Sequence, residues 1–589
     1  MADANPVDPR DLILECTGHA MVLGGPGSGK TTLALKKALK RIREGLGPGQ
    51  CILFLSFSRA AVARVLDAAN LVVPKSDLAA LSVQTFHSFF WNQLKVHGYL
   101  LGAPKKLSIL LPQDEKAING GIDKDDADWA AWQQERERLF REEGRIAFDL
   151  FAPNTAALLA SSSNVLAQVA MTYPLVIVDE AQDTGDDAWR CIELLAPHTQ
   201  IICLADLEQQ IFDFLPGVGP ERIGSIRVAL QPLEADLGND NHRSPGTQIL
   251  ALGNELLAAT VKPGAYAGVA SILYGVGKQA PNWNHLLRRA LCSLFRDLRA
   301  DGKGAVSAVA ILTMGKNGAL KVSNALNGLG ANPGKVVRHK LLFDEAEALL
   351  TARLAAFLLE PKEEDAEAAD IVTCMELIAA ARRSTGGAKA AVDKLLEQAA
   401  KIRAGKAVNI KLVTALREIL AQLRHNGLTG DPAADWLVVK RYLRASGREE
   451  LIRCASQLDY LVSFRRGQRI SAALSDEWLR DGAYTRARVA LDAALAQEQL
   501  LDGIAEPPGI QVLNVHKAKG KQFDGVIFVR EIRQAEDGAT SSFVWRGDTA
   551  PYVQSRRLVR VGITRARRRL LILTPTWPAC PLHRWDRLR

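Results

Sequence analysis

Short apolar runs recur along the chain, and a polar or glycine-rich segment follows each of them. Runs that are apolar on both faces suit parallel strands covered by helices. They fall in two groups, before residue 215 and after residue 305, so we predict two doubly wound α/β domains with functional loops at the carboxyl ends of their strands. The runs are AMVLGG (20–25), CILFLSFS (51–58), LVIVDE (175–180), IICLAD (201–206), SAVAILT (307–313), IQVLNVH (510–516), GVIFV (525–529) and LLILT (570–574).

Two long stretches, residues 100–165 and 360–505, lack such runs. The first contains a strongly charged segment at residues 123–145, which is typical of an exposed helix. The second is rich in Ala, Leu, Arg and Glu, and its apolar residues repeat at helical spacing. We therefore predict that both stretches are helical insertions. The apolar face predicted in the second stretch consists of Leu412, Val413, Leu416, Ile419, Leu420 and Leu423.

Size and composition set broad limits. A chain of 589 residues is too long for one core, and roughly three or four domains are expected. An apolar content of 48% and a charged content of 24% are ordinary for a soluble globular protein. The net charge of +9 mildly favours a polyanionic partner without identifying one.

Targeting and metal-binding signals are lacking. The cysteines form no CxxC pair, which argues against a zinc ribbon or an iron–sulfur cluster and for reduced thiols. Residues 1–15 have no basic segment followed by an apolar core, so no signal peptide is expected. No apolar run approaches the roughly 20 residues needed to span a bilayer. We therefore expect a cytoplasmic protein without a membrane partner.

A glycine-rich loop, GGPGSGKTT at residues 24–32, lies between a predicted strand and a helical stretch. It fits the P-loop pattern, in which backbone N–H groups turn inward around phosphate oxygens and the next helix adds its dipole. In this pattern Lys30 reaches the β- and γ-phosphates, and the Thr31 hydroxyl ligates Mg²⁺. The alternative is a glycine-rich turn that matches by chance. The predicted nucleotide contacts are Gly24, Gly27, Gly29, Lys30, Thr31 and Thr32.

The apolar run at residues 175–178 ends abruptly in Asp179 and Glu180. Adjacent carboxylates at the end of a buried strand repel each other and resist desolvation, so they need a cation or a catalytic role. In a P-loop fold Asp179 would hold Mg²⁺, and Glu180 would orient and deprotonate the attacking water. The alternative is a helix cap or an acidic surface turn, because Asp-Glu pairs are common.

Seven further segments occur in a fixed order: SFSRAA (56–61), TFHSF (85–89), DEAQD (179–183), ADLEQQIF (205–212), NHRS (241–244), VHKAKGKQFD (515–524) and VGITRARRRL (561–570). With the P-loop, they resemble superfamily 1 helicases of the UvrD/Rep/PcrA type. Each segment alone is weakly specific, whereas the ordered set is highly specific. The resemblance runs from Gly24 to Leu570, and the helical insertions match only in position.

The resemblance implies an α/β fold of two RecA-like P-loop motor domains with parallel sheets. Each motor domain would carry a mainly helical insertion, with ATP and Mg²⁺ bound between the two domains. The implied segments are residues 1–92 and 166–240 for the first motor domain, 93–165 for its insertion, 241–358 and 506–589 for the second motor domain, and 359–505 for its insertion.

The resemblance also implies how the γ-phosphate is contacted. Gln182 and Gln209 would sense it and couple it to the DNA-binding loops. Arg243 and Arg565 would reach it across the cleft as arginine fingers. A guanidinium group suits this task because it stays charged and forms forked bonds to phosphate oxygens.

The base and ribose contacts depart from the family pattern. His242 stands where the family has a tyrosine that stacks on adenine, and it would stack less extensively. Gln522 stands where the family has a glutamate, and it would hydrogen-bond a ribose hydroxyl. The family also reads the adenine edge with a glutamine before the P-loop, but no glutamine precedes Gln50. ATP as the nucleotide is therefore an expectation from the resemblance.

Binding of single-stranded DNA requires a cationic track and aromatic platforms on which bases stack. Phe57 and Phe214 occupy positions where the family stacks bases, and Thr85, His87 and His516 occupy positions where it contacts the strand. The alternative is that the two phenylalanines are core residues, although their polar sequence neighbours are typical of loops.

These assignments lead us to expect an ATP-dependent translocase on single-stranded DNA that unwinds duplex junctions in repair, replication restart or defence. The resemblance, and no residue pattern, implies its 3′→5′ polarity. One alternative is a nucleic-acid-stimulated ATPase switch that loads or regulates a protein partner, such as a nuclease, without processive unwinding. Another is an RNA-directed motor, since stacking and phosphate contacts do not distinguish the sugars. A transporter ATPase or a kinase is not favoured, because those classes lack this ordered set of glutamines and arginines.

Overall fold

The computed structural model describes most of the chain, which forms two compact units. The sheet unit comprises Met1–Asn92, Ala152–Phe343 and Asp502–Arg589, and the helical unit comprises Gln93–Phe151 and Asp344–Leu501. The described residues are 8–119, 122, 126–206, 221–238, 243–328, 334–342, 346–383, 389–459, 468–500, 509–535 and 538–587.

Most strands of the described residues belong to two six-stranded sheets in the sheet unit. In chain order, the strands are β1 Ala20–Leu23, β2 Ile52–Ser56, β3 Leu81–Thr85, β4 Ser108–Leu110, β5 Arg145–Ala147, β6 Leu175–Val178, β7 Gln200–Ala205, β8 Leu233–Asp236, β9 Val269–Tyr274, β10 Ala308–Thr313, β11 Lys340–Leu342, β12 Gly509–Asn514, β13 Phe523–Val529, β14 Ile532–Ala535, β15 Gly538–Ser541 and β16 Ala566–Pro575.

The first sheet is parallel throughout and has the order β3-β2-β6-β7-β1-β8. Its strands β1, β2 and β6 are buried along their whole length, because their apolar side chains are covered on both faces. β6, β7 and β1 lie side by side, so the loops that follow them share one edge of the sheet.

The second sheet is also parallel, with the order β11-β12-β10-β13-β16-β9. All the apolar runs in the sequence form strands of these two sheets, so the prediction of two parallel α/β sheets is confirmed. Within these two sheets, the four strands that the sequence did not predict are the outer strands β3, β8, β9 and β11.

Helices cover the sheets and form the helical unit. None of the described helices is both long and apolar enough to cross a bilayer. In chain order, they are α1 Pro9–Glu15, α2 Lys30–Arg43, α3 Arg59–Val72, α4 Phe86–His97, α5 Pro112–Asn119, α6 Trp129–Glu143, α7 Phe151–Ser161, α8 Ser163–Thr172, α9 Asp186–Leu195, α10 Glu221–Leu230, α11 Ile249–Leu257, α12 Trp283–Ala300, α13 Lys316–Leu326, α14 Ala346–Leu359, α15 Glu367–Arg383, α16 Lys389–Arg403, α17 Lys411–Asn426, α18 Pro432–Ala445, α19 Glu449–Asp459, α20 Gln468–Asp481, α21 Ala487–Leu500, α22 Val515–Ala518 and α23 Val553–Ile563.

The helical unit differs from the sequence prediction in its first segment. The predicted apolar face of α17 is buried in its core, which confirms that prediction. However, β4 and β5 form a short parallel pair within residues 100–165, where only helices were predicted. Helix α6 also buries Trp132, Leu139 and Phe140 instead of lying fully exposed. Its few apolar residues share one face, but the surrounding charges hide that face in the sequence.

Arg353 joins the two chain segments of the helical unit. Its Nη2 donates to Asp114 Oδ2 at 2.6 Å, and its Nε donates to Asp492 Oδ1 at 2.7 Å. Asp114 lies in the first segment, whereas Arg353 and Asp492 lie in the second. The segments predicted as separate insertions thus belong to one compact unit. The predicted insertion boundaries, 93–165 and 359–505, stay predictions.

Asp435 organises the turn that precedes α18, and its loss is expected to destabilise the helical unit. The fully buried carboxylate accepts from Thr429 N at 2.8 Å, Thr429 Oγ1 at 2.8 Å, Gly430 N at 2.9 Å and Tyr484 Oη at 2.8 Å. Asp435→Ala leaves these buried donors without an acceptor, so the free energy of unfolding of this unit should fall by about 3 kcal/mol. Urea unfolding followed by tryptophan fluorescence measures this change.

The matched control for Asp435 is Glu418→Ala, since Glu418 is an exposed carboxylate on α17 of the same unit. It should leave the unfolding midpoint unchanged. Equal midpoints for Asp435→Ala and the wild-type chain would contradict the role assigned to Asp435.

Candidate nucleotide-binding site

The loop after β1 forms one side of the site. Gly24, Gly27 and Gly29 have φ values of 155°, 92° and 94°, a region that favours glycine, and α2 begins directly afterwards at Lys30. The Lys30 ammonium group donates to the carbonyl oxygens of Gly24 at 2.6 Å and Gly25 at 3.0 Å. The cation is therefore already held at the loop, where phosphate oxygens would approach.

The same loop fits a phosphate group in shape and in hydrogen-bonding capacity. A Cβ atom at Gly24 would lie 2.6 Å from Ser28 Oγ, and one at Gly27 would lie 2.8 Å from Arg243 Cβ. A side chain at either position would thus clash with its neighbours and obstruct the space inside the loop. Ser28 Oγ is buried and has no hydrogen-bond partner among the described residues. A phosphate oxygen would satisfy this hydroxyl, whose isolation costs free energy.

Asp179 directly follows β6 at the same edge of the first sheet. Its Oδ2 accepts from Ser56 Oγ at 3.2 Å, which fixes the side chain against the end of β2. Burial and the adjacent Glu180 charge raise the pKa of Asp179 to about 6, while Arg64 and Lys30 act in the opposite direction. A divalent cation beside Asp179 would favour its ionised form.

Glu180 has a left-handed backbone conformation, with φ 53° and ψ 42°. Such strain at a residue other than glycine is concentrated at functional sites. Burial opposes ionisation of Glu180, but the charges of Lys519 and Lys30 and the Gln182 amide outweigh it and lower the pKa of Glu180. Gln182 Nε2 donates to Glu180 Oε2 at 2.6 Å. Glu180 is therefore an oriented carboxylate, as activation of a water molecule requires.

Gln182 connects the loops that follow β6 and β7. Its side chain is fully buried, and its Oε1 accepts from Asp206 N at 3.2 Å while its Nε2 binds Glu180. A displacement of either loop thus changes the orientation of Glu180. This geometry suits a residue that links the nucleotide site to other loops.

A buried ion pair joins the two sheets. The Lys519 ammonium group, just after α22, binds Asp183 Oδ2, and the side chains of Lys519 and Asp183 are 6% and 1% exposed. Breaking a buried pair leaves an uncompensated charge at a cost of about 3–5 kcal/mol. The pair therefore holds the loop after β6 against the segment that follows β12.

Arg243 lies against the phosphate loop. Its Nη1 donates to Thr564 O at 3.4 Å. With the Gln522 amide oriented to satisfy its hydrogen bonds, Gln522 Oε1 accepts from Arg243 Nε at 3.1 Å and from Arg64 Nη1 at 3.3 Å. Burial and the nearby Arg64 charge lower the pKa of Arg243 to about 10, so it remains a cation at neutral pH.

Arg565 is buried at the end of α23. Its Nε donates to Val561 O at 2.9 Å, and its Nη2 donates to Thr564 Oγ1 at 3.2 Å. Burial, together with the charges of Arg243 and Arg64, lowers the pKa of Arg565 well below its usual range. Cations that repel one another in a buried site would be stabilised by a polyanion.

The candidate strand-binding residues of the first sheet follow its neighbouring strands β2 and β3. Phe57 is half-buried, and its ring centroid lies 5.0 Å from that of Phe86. His87 is exposed, whereas Thr85 is buried and its Oγ1 accepts from Ser88 N at 3.1 Å. Thr85 therefore caps α4, and its predicted contact with DNA remains a prediction.

His516 provides the corresponding surface in the second sheet. Its ring centroid lies 5.1 Å from that of Trp545. Burial and the charge of Lys519 lower the pKa of His516, which keeps the imidazole neutral at physiological pH. Both residues are half-buried, so each keeps some surface in contact with solvent.

The structure brings together most of the described candidate residues. The first turn of α2 contains Thr31 and Thr32, while Gln522 lies between two guanidinium groups. Three candidate residues lie outside the described residues, and their roles stay predictions: Gln209, Phe214 and His242.

Sequence reasoning missed three side chains of this region: Arg64, Lys519 and Trp545. Lys519 lies inside the segment VHKAKGKQFD, and Arg64 lies on the helix that continues SFSRAA, so closer attention to cations near those motifs would have found them. Trp545 has no signal of this kind, because its contact with His516 depends on tertiary structure.

Thr31 and Asp179 are the candidate ligands for Mg²⁺. Within the part of the chain that the structure describes, no group of three or more His, Cys, Asp and Glu side chains is arranged to hold a metal. Mg²⁺ usually keeps several waters and binds through one or two carboxylates plus substrate phosphates. The sparse donor set therefore fits Mg²⁺ that arrives with a nucleotide.

These features define the class of the protein. Two parallel six-stranded sheets lie in one unit, a glycine-rich loop follows β1, and the charges of Lys519, Lys30 and Arg565 act on the Glu180 carboxylate after β6. This is the architecture of a P-loop protein with two RecA-like domains.

The first part of the chain is similar to a known helicase domain. Residues 7–136 and 110–218 match the UvrD/REP helicase N-terminal domain. This match, within residues 7–218, agrees with the ordered segments and the two sheets in making the chain similar to the UvrD-like group of superfamily 1 helicases.

Curated relatives are similar at low identity. The chain is 25% identical to DNA helicase II of Haemophilus influenzae, over 42% of this chain and 40% of that protein. It is 22% identical to ATP-dependent DNA helicase Rep of Salmonella typhimurium, over 41% of each. It is 24% identical to ATP-dependent DNA helicase UvrD1 of Mycobacterium leprae, over 96% of this chain and 81% of that protein. The matched region thus spans about two fifths of the first two relatives.

Proposed function

We propose that this chain is an ATP-dependent motor that translocates along single-stranded DNA and unwinds duplex junctions with 3′→5′ polarity. The observation that carries the proposal is that Lys519, from the segment after β12, forms a buried ion pair with Asp183 in the loop after β6 of the first sheet. The charges of Lys519, Lys30 and Arg565 also act on Glu180 in that loop. Because residues from both sheets form the site, binding or release of a nucleotide would change the position of one sheet relative to the other, as a motor requires. The names of the relatives, which are DNA helicases, support this function.

Each part of the site has a role in hydrolysis. Lys30 and Ser28 bind the phosphates, and Glu180 accepts the proton of the attacking water. Mg²⁺, held by Thr31 and Asp179, would neutralise charge on the phosphates. Charge that develops on the terminal phosphate is stabilised by Arg565, whose guanidinium group is already ordered.

Two contacts support coupling between hydrolysis and the strand-binding surface. The Lys519–Asp183 pair joins the loop after β6 to the segment that also carries His516. The Gln182 amide links Glu180 to the loop after β7. Closure of the sheets around ATP would therefore move His516 relative to Phe57, which shifts the two surfaces along a bound strand.

The proposal takes DNA as the nucleic acid. Phe57 and the His516–Trp545 pair offer aromatic faces, and every base has a face that can stack. Stacking alone does not read the sugar, so the DNA preference follows the relatives and needs a direct comparison. A cytoplasmic location and a protein partner such as a nuclease stay predictions, because the mechanism requires neither.

Strand displacement by the purified chain tests this function. Partial duplexes with a 3′ DNA tail, a 5′ DNA tail, a 3′ RNA tail or blunt ends are mixed with the chain, ATP and Mg²⁺. We expect displacement only from the 3′ DNA tail. Hydrolysis without displacement from any substrate would favour the ATPase switch that regulates a partner. Equal displacement from the RNA tail would overturn the choice of DNA.

A further inference from the structure

Arg64 is a cationic side chain that has no role in the hydrolysis mechanism described above. It lies on α3 of the first sheet, and its Nη1 donates to Gln522 Oε1 at 3.3 Å. A Cβ atom at Gly520 would lie 3.8 Å from Arg64 Nη2. The guanidinium group therefore reaches from the first sheet to the segment that follows β12 of the second.

The hydrogen bonding of Arg64 is incomplete. Its Nε is buried without a partner, and no described carboxylate forms an ion pair with Arg64, Arg243 or Lys30. A buried donor of a charged group that has no acceptor is costly. Three cations of one site thus lack a carboxylate partner, and an anionic ligand would supply the acceptors.

Arg64 lies near the groups that are expected to contact the terminal phosphate of a nucleotide. Its charge acts on Asp179, the candidate Mg²⁺ ligand, and on Arg243 and Arg565, the candidate arginine fingers. Gln522 Oε1 accepts from both Arg64 and Arg243, so one amide oxygen holds the two guanidinium groups near each other. Mutual repulsion of these groups falls when several negative charges lie between them.

We propose that Arg64 is a third phosphate-binding arginine, which contacts the terminal phosphate of a nucleoside triphosphate together with Arg243 while Gln522 positions both side chains. This inference rests on the proposed function and specifies it further. The site then selects a triphosphate over a diphosphate, because only the triphosphate places charge between these two arginines and the P-loop.

Nucleotide binding without DNA tests this assignment. A fluorescent non-hydrolysable ATP analogue and fluorescent ADP are titrated, with Mg²⁺, against the wild-type chain, Arg64→Ala and Arg64→Lys. Arg64→Ala should lower the affinity for the triphosphate analogue by about 10-fold or more and the affinity for ADP by less than about 3-fold. Arg64→Lys should restore part of the loss, since it keeps the charge but not the fork.

The matched control is Arg190→Ala on α9 of the same unit. The Arg190 side chain is 58% exposed and pairs with Glu193 at 3.3 Å, so both affinities should stay unchanged. Wild-type affinities in Arg64→Ala would overturn the inference and leave the proposed function standing. A different result would be that Arg64→Ala loses equal affinity for the ATP analogue and for ADP and also melts at a lower temperature without nucleotide. That result would show a structural role for Arg64 and would overturn the inference. A wild-type chain that binds neither nucleotide would instead overturn the proposed function.

Discussion

Arg565→Ala is expected to lower the rate of DNA-stimulated ATP hydrolysis by about 10³-fold or more, the range found for arginine fingers. The Arg565 guanidinium group is buried and is held by Val561 O and Thr564 Oγ1, so it is ordered before the reaction begins. Its charge acts on Glu180, which places it near the reacting centre. Preorganised charge in a buried site is a large contributor to catalysis. Steady-state hydrolysis at saturating ATP and DNA measures the effect.

The control for this prediction is Arg567→Ala, which removes an arginine two residues further along. The Arg567 side chain is 42% exposed and pairs with Asp524 at 3.5 Å, so its loss should change the rate little. Arg565→Lys should recover only part of the activity, because an ammonium group lacks the planar fork. A normal rate in Arg565→Ala, or a larger loss in Arg567→Ala, would contradict the assignment.

Glu180→Gln is expected to lower the hydrolysis rate by about 10²- to 10⁴-fold while ATP binding is retained. The amide keeps the size of the side chain but cannot accept the proton of the attacking water. Binding should be retained, or become tighter, because one negative charge beside the phosphates is removed. Single-turnover hydrolysis and a separate nucleotide titration distinguish the two effects.

Glu193→Gln on α9 provides the corresponding control, since Glu193 is a carboxylate of the same unit that pairs with the exposed Arg190. It should hydrolyse ATP at the normal rate. Hydrolysis by Glu180→Gln at a near-normal rate would show that another group accepts the proton. Loss of ATP binding in that variant would show that Glu180 acts in binding instead of in chemistry.

The central strands of the fold could be predicted from the sequence, whereas the outer strands could not. Strands such as β2 and β6 are covered on both faces, so they appear as unbroken apolar runs. Outer strands have different constraints: β3 alternates buried and half-buried positions, and β8 has three exposed residues of four. An unbroken apolar run therefore appears only where helices cover both faces of a strand. The outer strands β3 and β8 are covered less completely, so their sequences lack such a run.

The candidate site was predictable where its chemistry lies in short segments. Lys30 lies within the phosphate-loop motif, and Asp179 and Glu180 directly follow a predicted strand, so their types and spacing indicate their roles. By contrast, Arg64 meets Gln522 across more than four hundred residues of chain, and no local spacing records such a contact. The buried face of α6 was hidden for a different reason, because charged residues surround its few apolar positions in the sequence.

The most direct test of the motor assignment is steady-state ATP hydrolysis with and without a single-stranded DNA oligonucleotide, measured beside Lys30→Ala. Lys30 is the cation held at the phosphate loop, so its loss should remove hydrolysis under both conditions. We predict strong stimulation by DNA in the wild-type chain and none in the variant. Hydrolysis that depends on Lys30 but is indifferent to DNA would contradict the proposal that this chain is a DNA motor.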